Sequence, residues 1–288
     1  MANSSAQLRR LGTELRRLRE SVGRTQGDVG AAIGRTHASV VNWERGKTRI
    51  SKSDLVCLLA ELHAPAEVRK GLEKLREDAA RGTSSWATYG LPDWLRPMLS
   101  FEEDATGVTT FEPVLVPGLL QTEEYARAIH TAGRHKVAPE YVEKWVAARM
   151  RRQQRLSGPG ALTVHAVIAE AVLRLEVGGP EVFGRQLERL CEAASADNIT
   201  VQVLIADQGG YGGMASNFTM LHFADPAIDP PLGCFDGPLG GHLLSDAGDV
   251  ATMAKMFDDL REMALPAEDS AELLATILAE HRRKGGTG

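Results

Sequence analysis

The sequence predicts a multidomain protein, with an all-α N-terminal domain followed by an α+β C-terminal domain that contains a small sheet. Through the first 63 positions, apolar residues recur at steps of three or four in short runs separated by glycines, which is typical of short helices. Beyond residue 106, extended runs alternate with helical ones. The charge divides in the same way. Residues 1–52 hold eleven Lys or Arg against four Asp or Glu, and the remainder holds twenty-two against thirty-four.

The composition is that of a soluble globular protein, with 43% hydrophobic and 25% charged residues in a chain of 288. No apolar run approaches the ~20 residues of a membrane span, and the opening stretch MANSSAQLRRLG lacks the apolar core of a signal peptide. Cys57, Cys191 and Cys234 form no CxxC pair, so neither a zinc site nor a disulfide framework is indicated. We therefore expect a cytoplasmic protein with no metal and no cofactor.

Capping residues and glycines set the predicted helices of the N-terminal domain. These helices cover residues 7–21 (ended by Gly23), 26–33 (capped by Thr25, ended by Gly34), 37–45 (capped by Thr36, ended by Gly46), a run from Ser53 to Leu62, and 65–81. The first is amphipathic, with Leu8, Leu11, Leu15, Leu18 and Val22 on its apolar side and Arg9, Arg10, Arg16, Arg17 and Arg19 on its polar side.

The second and third predicted helices are joined by the short turn Gly34-Arg35, which is the helix-turn-helix arrangement. Its second helix enters the major groove of DNA. Val29, Ile33, Val40 and Trp43 are predicted to face the bundle, which leaves His37, Ala38, Val41 and Asn42 on the outer face. Asn pairs with adenine through two hydrogen bonds, and residues at helix ends are suited to phosphate contacts. A helical bundle used only for protein contacts is the alternative interpretation.

The string TQGDVGAAIGRTHASVVNWERGKTRIS resembles the XRE (lambda-repressor-like) helix-turn-helix family, over residues 8–63. The resemblance implies double-stranded DNA as a partner and divides the candidate contacts into two sets. The base contacts would be His37, Ala38 and Asn42, and the DNA-backbone contacts Gln26, Thr36, Arg45 and Lys47. The sequence departs from the family pattern at Gly27, Gly30 and Ala38.

We predict a boundary near residue 82, with the DNA-binding domain at 1–82, a linker and docking segment at 83–105, and an effector or partner-binding domain at 106–288. The linker composition, GTSSWATYGLPDW, contains aromatic residues that we expect to dock onto one domain or the other. The predicted helices beyond it are 93–104, 122–131, 140–156, 180–195, 246–264 and 268–283, the last capped by Asp269 or Ser270. The predicted strands are TTFEPVLVPG, ALTVHAVIA, ITVQVLIA, NFTMLHF and the apolar start of PPLGCFDG.

Catalytic interpretations of this domain find little support in the sequence. QGGYGG (208–213) lies between two predicted strands and does not lead into a helix, so a hairpin turn is predicted instead of a phosphate loop. Cys234, His242 and Asp246 include the residue types of a cysteine hydrolase, without any flanking signature. His165 and His222 have no carboxylate at ligand spacing. We predict that the protein is not an enzyme.

The segments VPGLLQTEEYARAI, RMRRQQRL, EAVLRLEVGGPEV with QLERL, and ITVQVL resemble the C-terminal domain of the WhiJ/Scr-type regulators of actinobacteria. The resemblance implies a transcription regulator, paired in antitoxin-like fashion with a small protein encoded by a neighbouring gene. From DNA geometry we expect a homodimer. The alternatives are an antitoxin-like protein whose main role is to neutralise that partner, and a repressor that senses a small molecule. For the arginine-rich segment 148–156, a second DNA contact, an acidic partner, and a solvated or internally salt-bridged helix face all remain open.

Overall fold

The elements of the fold are taken from a computed structural model, which describes residues 6–81, 86–132, 138–211, 216–227, 229–237 and 240–285. The helices are α1 (Ala6–Ser21), α2 (Gln26–Ala32), α3 (His37–Glu44), α4 (Lys52–Glu61), α5 (Ala66–Arg81), α6 (Leu95–Asp104), α7 (Glu123–Thr131), α8 (Pro139–Gln153), α9 (Pro180–Ala194), α10 (Ala247–Met263) and α11 (Ala267–Gly285). The strands are β1 (Gly107–Glu112), β2 (Thr163–Ala169), β3 (Ile199–Leu204), β4 (Phe218–His222), β5 (Leu232–Gly237) and β6 (Gly240–Leu244). This architecture confirms the predicted fold class.

The chain divides into two compact units. The first comprises residues 1–87, 96–104 and 224–230, and the second comprises 88–95, 105–223 and 231–288. Of the aromatic residues near the predicted boundary, Trp86 belongs to the first unit and is buried, whereas Tyr89 and Trp94 belong to the second. The predicted boundary itself, at residues 82–83, lies outside the described residues.

The core of the first unit is built from the apolar sides of its helices. It includes the four residues predicted to face the bundle, because Val29, Val40 and Trp43 are buried in it and Ile33 packs against it. Two predictions about α1 were wrong. Val22, predicted on the apolar side, is exposed, and Arg19, predicted on the polar side, is buried. The fourth helix begins at Lys52, one residue earlier than predicted, because the Ser51 side chain caps it by accepting from the Asp54 N–H.

In the second unit, the described residues form one mixed sheet in the order β3-β2-β1-β4-β5-β6. Strands β1, β2 and β3 are parallel, whereas β4, β5 and β6 are joined antiparallel beside β1. Helix α10 packs on one face of this sheet, through Met253 and Phe257 against Phe111 and Phe218. Alternate residues of β2, such as Ala166 and Ile168, are buried as well, so the centre of the sheet is covered on both faces.

Two sequence predictions for this unit were wrong, and one strand was missed. The segment QGGYGG, whose last two residues lie outside the described residues, falls between β3 and β4, and these strands are not neighbours in the sheet, so the predicted hairpin turn is wrong. The last helix begins at Ala267, before both predicted caps, and the Ser270 hydroxyl instead accepts from the Val203 N–H of β3 at 3.0 Å. Strand β6 was not predicted at all.

Candidate DNA-binding surface

The turn between α2 and α3 is fixed by side-chain caps at the start of both helices. Before α2, the Thr25 hydroxyl accepts from the Asp28 N–H and the Asp28 carboxylate accepts from the Thr25 N–H, which is a capping box. Before α3, the Thr36 hydroxyl accepts from the Ser39 N–H at 3.2 Å. Gly34 in the turn has φ +68°, a left-handed conformation that favours glycine. These local interactions fix the position of α3 relative to α2.

Gly30 is required where α2 approaches the turn. A Cβ at this position would lie 2.9 Å from the Arg35 carbonyl oxygen, so no larger residue fits without a shift of the backbone. Gly27 differs, since the nearest atom to a Cβ there is the Thr25 hydroxyl at 3.8 Å. Of the two glycines that depart from the family pattern, Gly30 is therefore required by packing, whereas Gly27 has no steric cause in the structure.

Helix α3 presents the predicted base-contacting residues on one side and its core residues on the other. His37 and Ala38 are exposed, and Asn42 is half-buried. Within the described ranges, the side chains of His37 and Asn42 form no hydrogen bond, so their donors and acceptors remain available to a ligand. The Asn42 carbonyl oxygen accepts from the Lys47 N–H at 2.8 Å, which closes the end of the helix.

Four exposed cations follow the C-terminal end of α3. They are Arg45, Lys47, Arg49 and Lys52. In the part of the chain that the structure describes, none of these four forms an ion pair with a carboxylate. By contrast, Arg24 is paired with Glu61 and Arg35 with Asp54, at 2.8 and 2.9 Å. Arg49 and Lys52 were not among the predicted contacts, although both belong to the basic run RGKTRISK. Uncompensated cations beside a polar helix face match the requirements of phosphate contacts.

Gln26 and Thr36, predicted to contact the DNA backbone, are both engaged within the protein. The Gln26 amide donates to Glu44 Oε2 at 2.8 Å, and Glu44 also accepts two hydrogen bonds from Arg19. The hydrogen bond to Glu44 holds the pKa of Arg19 above its usual range. The Thr36 hydroxyl lies 2.9 Å from that of Ser39. Glu44 thus links α1 to the start of α2, a positioning role that was not predicted from the sequence.

The structure does not bring Cys234 and His242 of the cysteine-hydrolase alternative together. Cys234 lies opposite Leu243 in the β5–β6 pair, whereas His242 lies opposite Phe235. Since successive side chains of a strand point to opposite faces, Cys234 and His242 lie on different faces of the sheet. Among the described residues, no cluster of three or more His, Cys, Asp or Glu side chains is arranged to hold a metal ion.

His165 and His222 line an open cavity of about 320 Å³ at the amino ends of β1, β2 and β3. His165 Nε2 lies 2.7 Å from the Gln202 amide oxygen, and His222 Nε2 lies 3.1 Å from the Thr109 hydroxyl. Burial lowers the pKa of both imidazoles. The Gln202 nitrogen already donates to two carbonyl oxygens, so His165 Nε2 carries the proton in the neutral form. Both rings are therefore held by hydrogen bonds to uncharged side chains.

The arginine-rich end of α8 is directed partly inward. Arg149 donates to the side-chain oxygen of Gln121, and Arg155 donates to the Ala105 carbonyl oxygen at 2.6 Å. Gln153 donates to the carbonyl oxygens of Gly118 and Gln121. The contacts of Arg149 and Arg155 are hydrogen bonds to uncharged oxygens within the second unit, whereas the sequence alternatives were a second DNA contact, an acidic partner, and a solvated or internally salt-bridged helix face. Through their hydrogen bonds, Arg149 and Gln153 hold VPGLLQT, the proline–glycine turn before the Thr122 cap of α7.

Among the described residues, none of the helices is long and apolar enough to cross a membrane.

No curated protein and no solved structure matches the chain. Two family models do match it. Residues 10–72 match a helix-turn-helix domain, which supports an XRE-like, DNA-binding head. Residues 95–276, more than half of the chain, match a domain of unknown function (DUF5753). The chain therefore belongs to the DUF5753 family, with a helix-turn-helix domain ahead of the shared domain.

Proposed function

We propose that this protein is a sequence-specific transcription regulator that binds double-stranded DNA through α3 and is not an enzyme. The observation that carries the proposal is the outer face of α3. There, the unengaged side chains of His37 and Asn42 lie on the helix that is followed by the uncompensated cations Arg45 and Lys47. Polar side chains such as those of His37 and Asn42 recognise base edges, and cations such as Arg45 and Lys47 contact phosphates.

The division of labour along α3 follows from these chemistries. Asn42 can form two hydrogen bonds with adenine, and His37 can donate to or accept from a base edge. Ala38 offers an apolar contact to a thymine methyl group. The cations after α3 supply affinity that is independent of sequence and falls as salt rises. We add Arg49 and Lys52 to the DNA-backbone contacts proposed from the sequence.

We further propose that the protein acts as a homodimer on an inverted repeat, with its two α3 helices in successive major grooves about 34 Å apart. Regulation would come through the C-terminal domain, from a small protein encoded by a neighbouring gene, as the resemblance to WhiJ/Scr-type regulators implies. A basic head of residues 1–52 joined to an acidic remainder is compatible with this separation of DNA binding from partner binding.

The test is affinity capture of fragmented genomic DNA on the purified full-length protein, with Asn42→Ala as the comparison. We expect wild type to enrich a few promoter fragments that share an inverted repeat, and the variant to lose or change that enrichment. Lys70→Ala is the control for handling and folding, because Lys70 is exposed on α5 and pairs with the equally exposed Glu67. Uniform recovery of all fragments by wild type would reject sequence-specific binding by the protein alone.

The partner hypothesis requires a separate experiment. Co-expression with the neighbouring gene's product should give a complex of defined stoichiometry, and adding that product should change the amount of promoter DNA captured. A stable complex whose formation leaves DNA capture unchanged would instead favour an antitoxin-like protein whose main role is neutralising the partner.

A further inference from the structure

The two edges of the sheet in the second unit are treated differently by the fold. At the β3 edge, the Val203 carbonyl oxygen accepts from the Leu265 N–H and the Val203 N–H donates to the Ser270 hydroxyl, both at 3.0 Å. The connection between α10 and α11, together with the first turn of α11, thereby occupies the outward-facing groups of Val203. Natural proteins commonly cover sheet edges in this way, because unpaired backbone groups recruit other strands.

At the β6 edge, the outward backbone groups belong to Gly241 and Leu243. Gly237 and Gly240 are paired across only two intervening residues, which places them at a hydrogen-bonded position of the β5–β6 pair. Hydrogen-bonded and non-hydrogen-bonded positions alternate along an antiparallel pair. His242 and Leu244, like Gly240, therefore direct their backbone N–H and C=O groups inward to β5. In the described residues, no hydrogen bond occupies the N–H or C=O of Gly241 or Leu243.

The side chains of β6 do not protect this edge. The strand reads GGHLL, with no proline, no Lys and no acidic residue. Edge strands that avoid pairing commonly carry such residues or a bulge, and the β5–β6 register is continuous over five pairs without one. His242 is exposed, while its neighbours along the strand are half-buried. This edge is therefore competent to accept another strand.

We propose that β6 is the homodimer interface of this protein, pairing antiparallel with β6 of a second copy across a two-fold axis at His242. Gly241 of each copy then exchanges both backbone hydrogen bonds with Leu243 of the other. In this register, the N–H and C=O groups of both Gly241 and Leu243 all form hydrogen bonds with β6 of the second copy. The two sheets join into one continuous sheet.

A second copy is favoured over a different protein by the symmetry of the strand. The outward residues lie one on each side of His242, so two identical strands satisfy each other reciprocally, as a two-fold interface demands. The strand carries no Lys, Arg, Asp or Glu, so it specifies no oppositely charged partner. This inference rests on the proposed dimeric regulator and locates the contact between its two copies.

The first test is a symmetric cross-link. Opposed residues of a non-hydrogen-bonded antiparallel pair have Cα atoms about 4.5 Å apart, within the range that a disulfide spans. In full-length protein with exposed Cys57 changed to Ser, we expect His242→Cys to form a covalent dimer under mild oxidation. Ala251→Cys, exposed on α10, should stay monomeric on a denaturing gel. Equal cross-linking of the two variants would overturn the proposal.

The second test removes the outward N–H without touching the β5–β6 bonds. Leu243→Pro deletes one hydrogen-bond donor per copy at an edge position where proline is tolerated, and should raise the dimer dissociation constant about 30-fold. Leu243→Ala retains the N–H and should change the dimer dissociation constant less than about fivefold. Gly241 is unsuitable for such a variant because a Cβ there would lie 2.3 Å from the Trp94 ring. A Leu243→Pro dimer as tight as that of Leu243→Ala, by sedimentation equilibrium, would reject the interface.

The two proposals can fail separately. If wild type captures promoter DNA but sediments as a monomer, the β6 interface is wrong and DNA recognition stands. If the His242→Cys variant forms a dimer but wild type captures no specific DNA, the interface stands and the proposed function is wrong.

Discussion

Arg19 on α1 and Glu44 at the end of α3 form a buried ion pair with two hydrogen bonds, Nε to Oε1 at 2.7 Å and Nη2 to Oε2 at 3.0 Å. Their side chains are 10% and 4% exposed, so water contributes little to solvating either charge. The Gln26 amide donates a third hydrogen bond to the same carboxylate. One carboxylate therefore connects the first helix to both members of the helix-turn-helix.

Removing one member of this pair should be costly, because the other charge is left buried without a partner. We expect Glu44→Ala to lower the free energy of unfolding by about 3–5 kcal/mol. Glu67→Ala, which breaks an exposed pair with Lys70, should cost less than about 1 kcal/mol. Urea unfolding followed by circular dichroism measures the free energy of unfolding of both variants and of wild type. The double variant Arg19→Met/Glu44→Leu should recover most of the loss, and a double variant as unstable as Glu44→Ala would contradict this account.

The two glycines of α2 should respond in opposite directions to alanine. Gly30→Ala places a Cβ 2.9 Å from the Arg35 carbonyl oxygen, so we expect a destabilisation of about 1–3 kcal/mol together with weaker DNA binding. Gly27→Ala meets no atom closer than 3.8 Å and should stabilise the head by up to about 1 kcal/mol through helix propensity. Thermal unfolding of both variants decides the matter. A loss of stability in Gly27→Ala equal to that in Gly30→Ala would show that helix packing is not the cause.

The stability of the second unit should depend on the ionisation of Glu112. Burial, reinforced by the Asp236 carboxylate, raises the pKa of Glu112 to about 8, against the lowering effects of Asn217, Arg149 and Arg152. The folded state therefore holds a proton that the unfolded state releases near pH 4.3, and stability falls as the pH rises from about 4.5 to about 8.

Glu112→Gln should remove this dependence and stabilise the protein by the order of 1–3 kcal/mol at pH 8.5 relative to wild type. Denaturant unfolding at pH 5 and pH 8.5 measures the difference. Glu272→Gln, at an exposed position on α11, should leave the profile of wild type unchanged. If Glu112→Gln keeps the wild-type pH profile, the carboxyl is ionised in the folded state and its burial has no such effect.

Local signals predicted the head well because its boundaries depend on neighbouring residues. The caps Thr25 and Thr36 act within three residues of themselves, and so they are visible in sequence. Arg19 was misplaced because its partner Glu44 lies 25 residues away. No pattern within a single helix distinguishes such an arginine from an exposed one.

The sheet was predicted less completely for the same reason. The pairing of β4 with β1 joins segments more than one hundred residues apart, so the order of strands does not follow from local periodicity. Strand β6 begins with two glycines, which have low strand propensity, and it is held by its register with β5. The buried Gln186 was also missed. It accepts from the Thr122 N–H and donates to the Leu120 carbonyl oxygen, which fixes the turn ahead of α7.

The central claim, that α3 contacts base edges and the cations after it contact phosphates, is tested most directly by anisotropy titrations on captured promoter DNA and on shuffled DNA. Asn42→Ala should lose about 1–3 kcal/mol on the promoter and almost nothing on shuffled DNA. Lys47→Ala should weaken both alike and lower the salt dependence by about one phosphate contact, whereas Lys70→Ala should change neither. Equal losses for Asn42→Ala on promoter and shuffled DNA would contradict the claim.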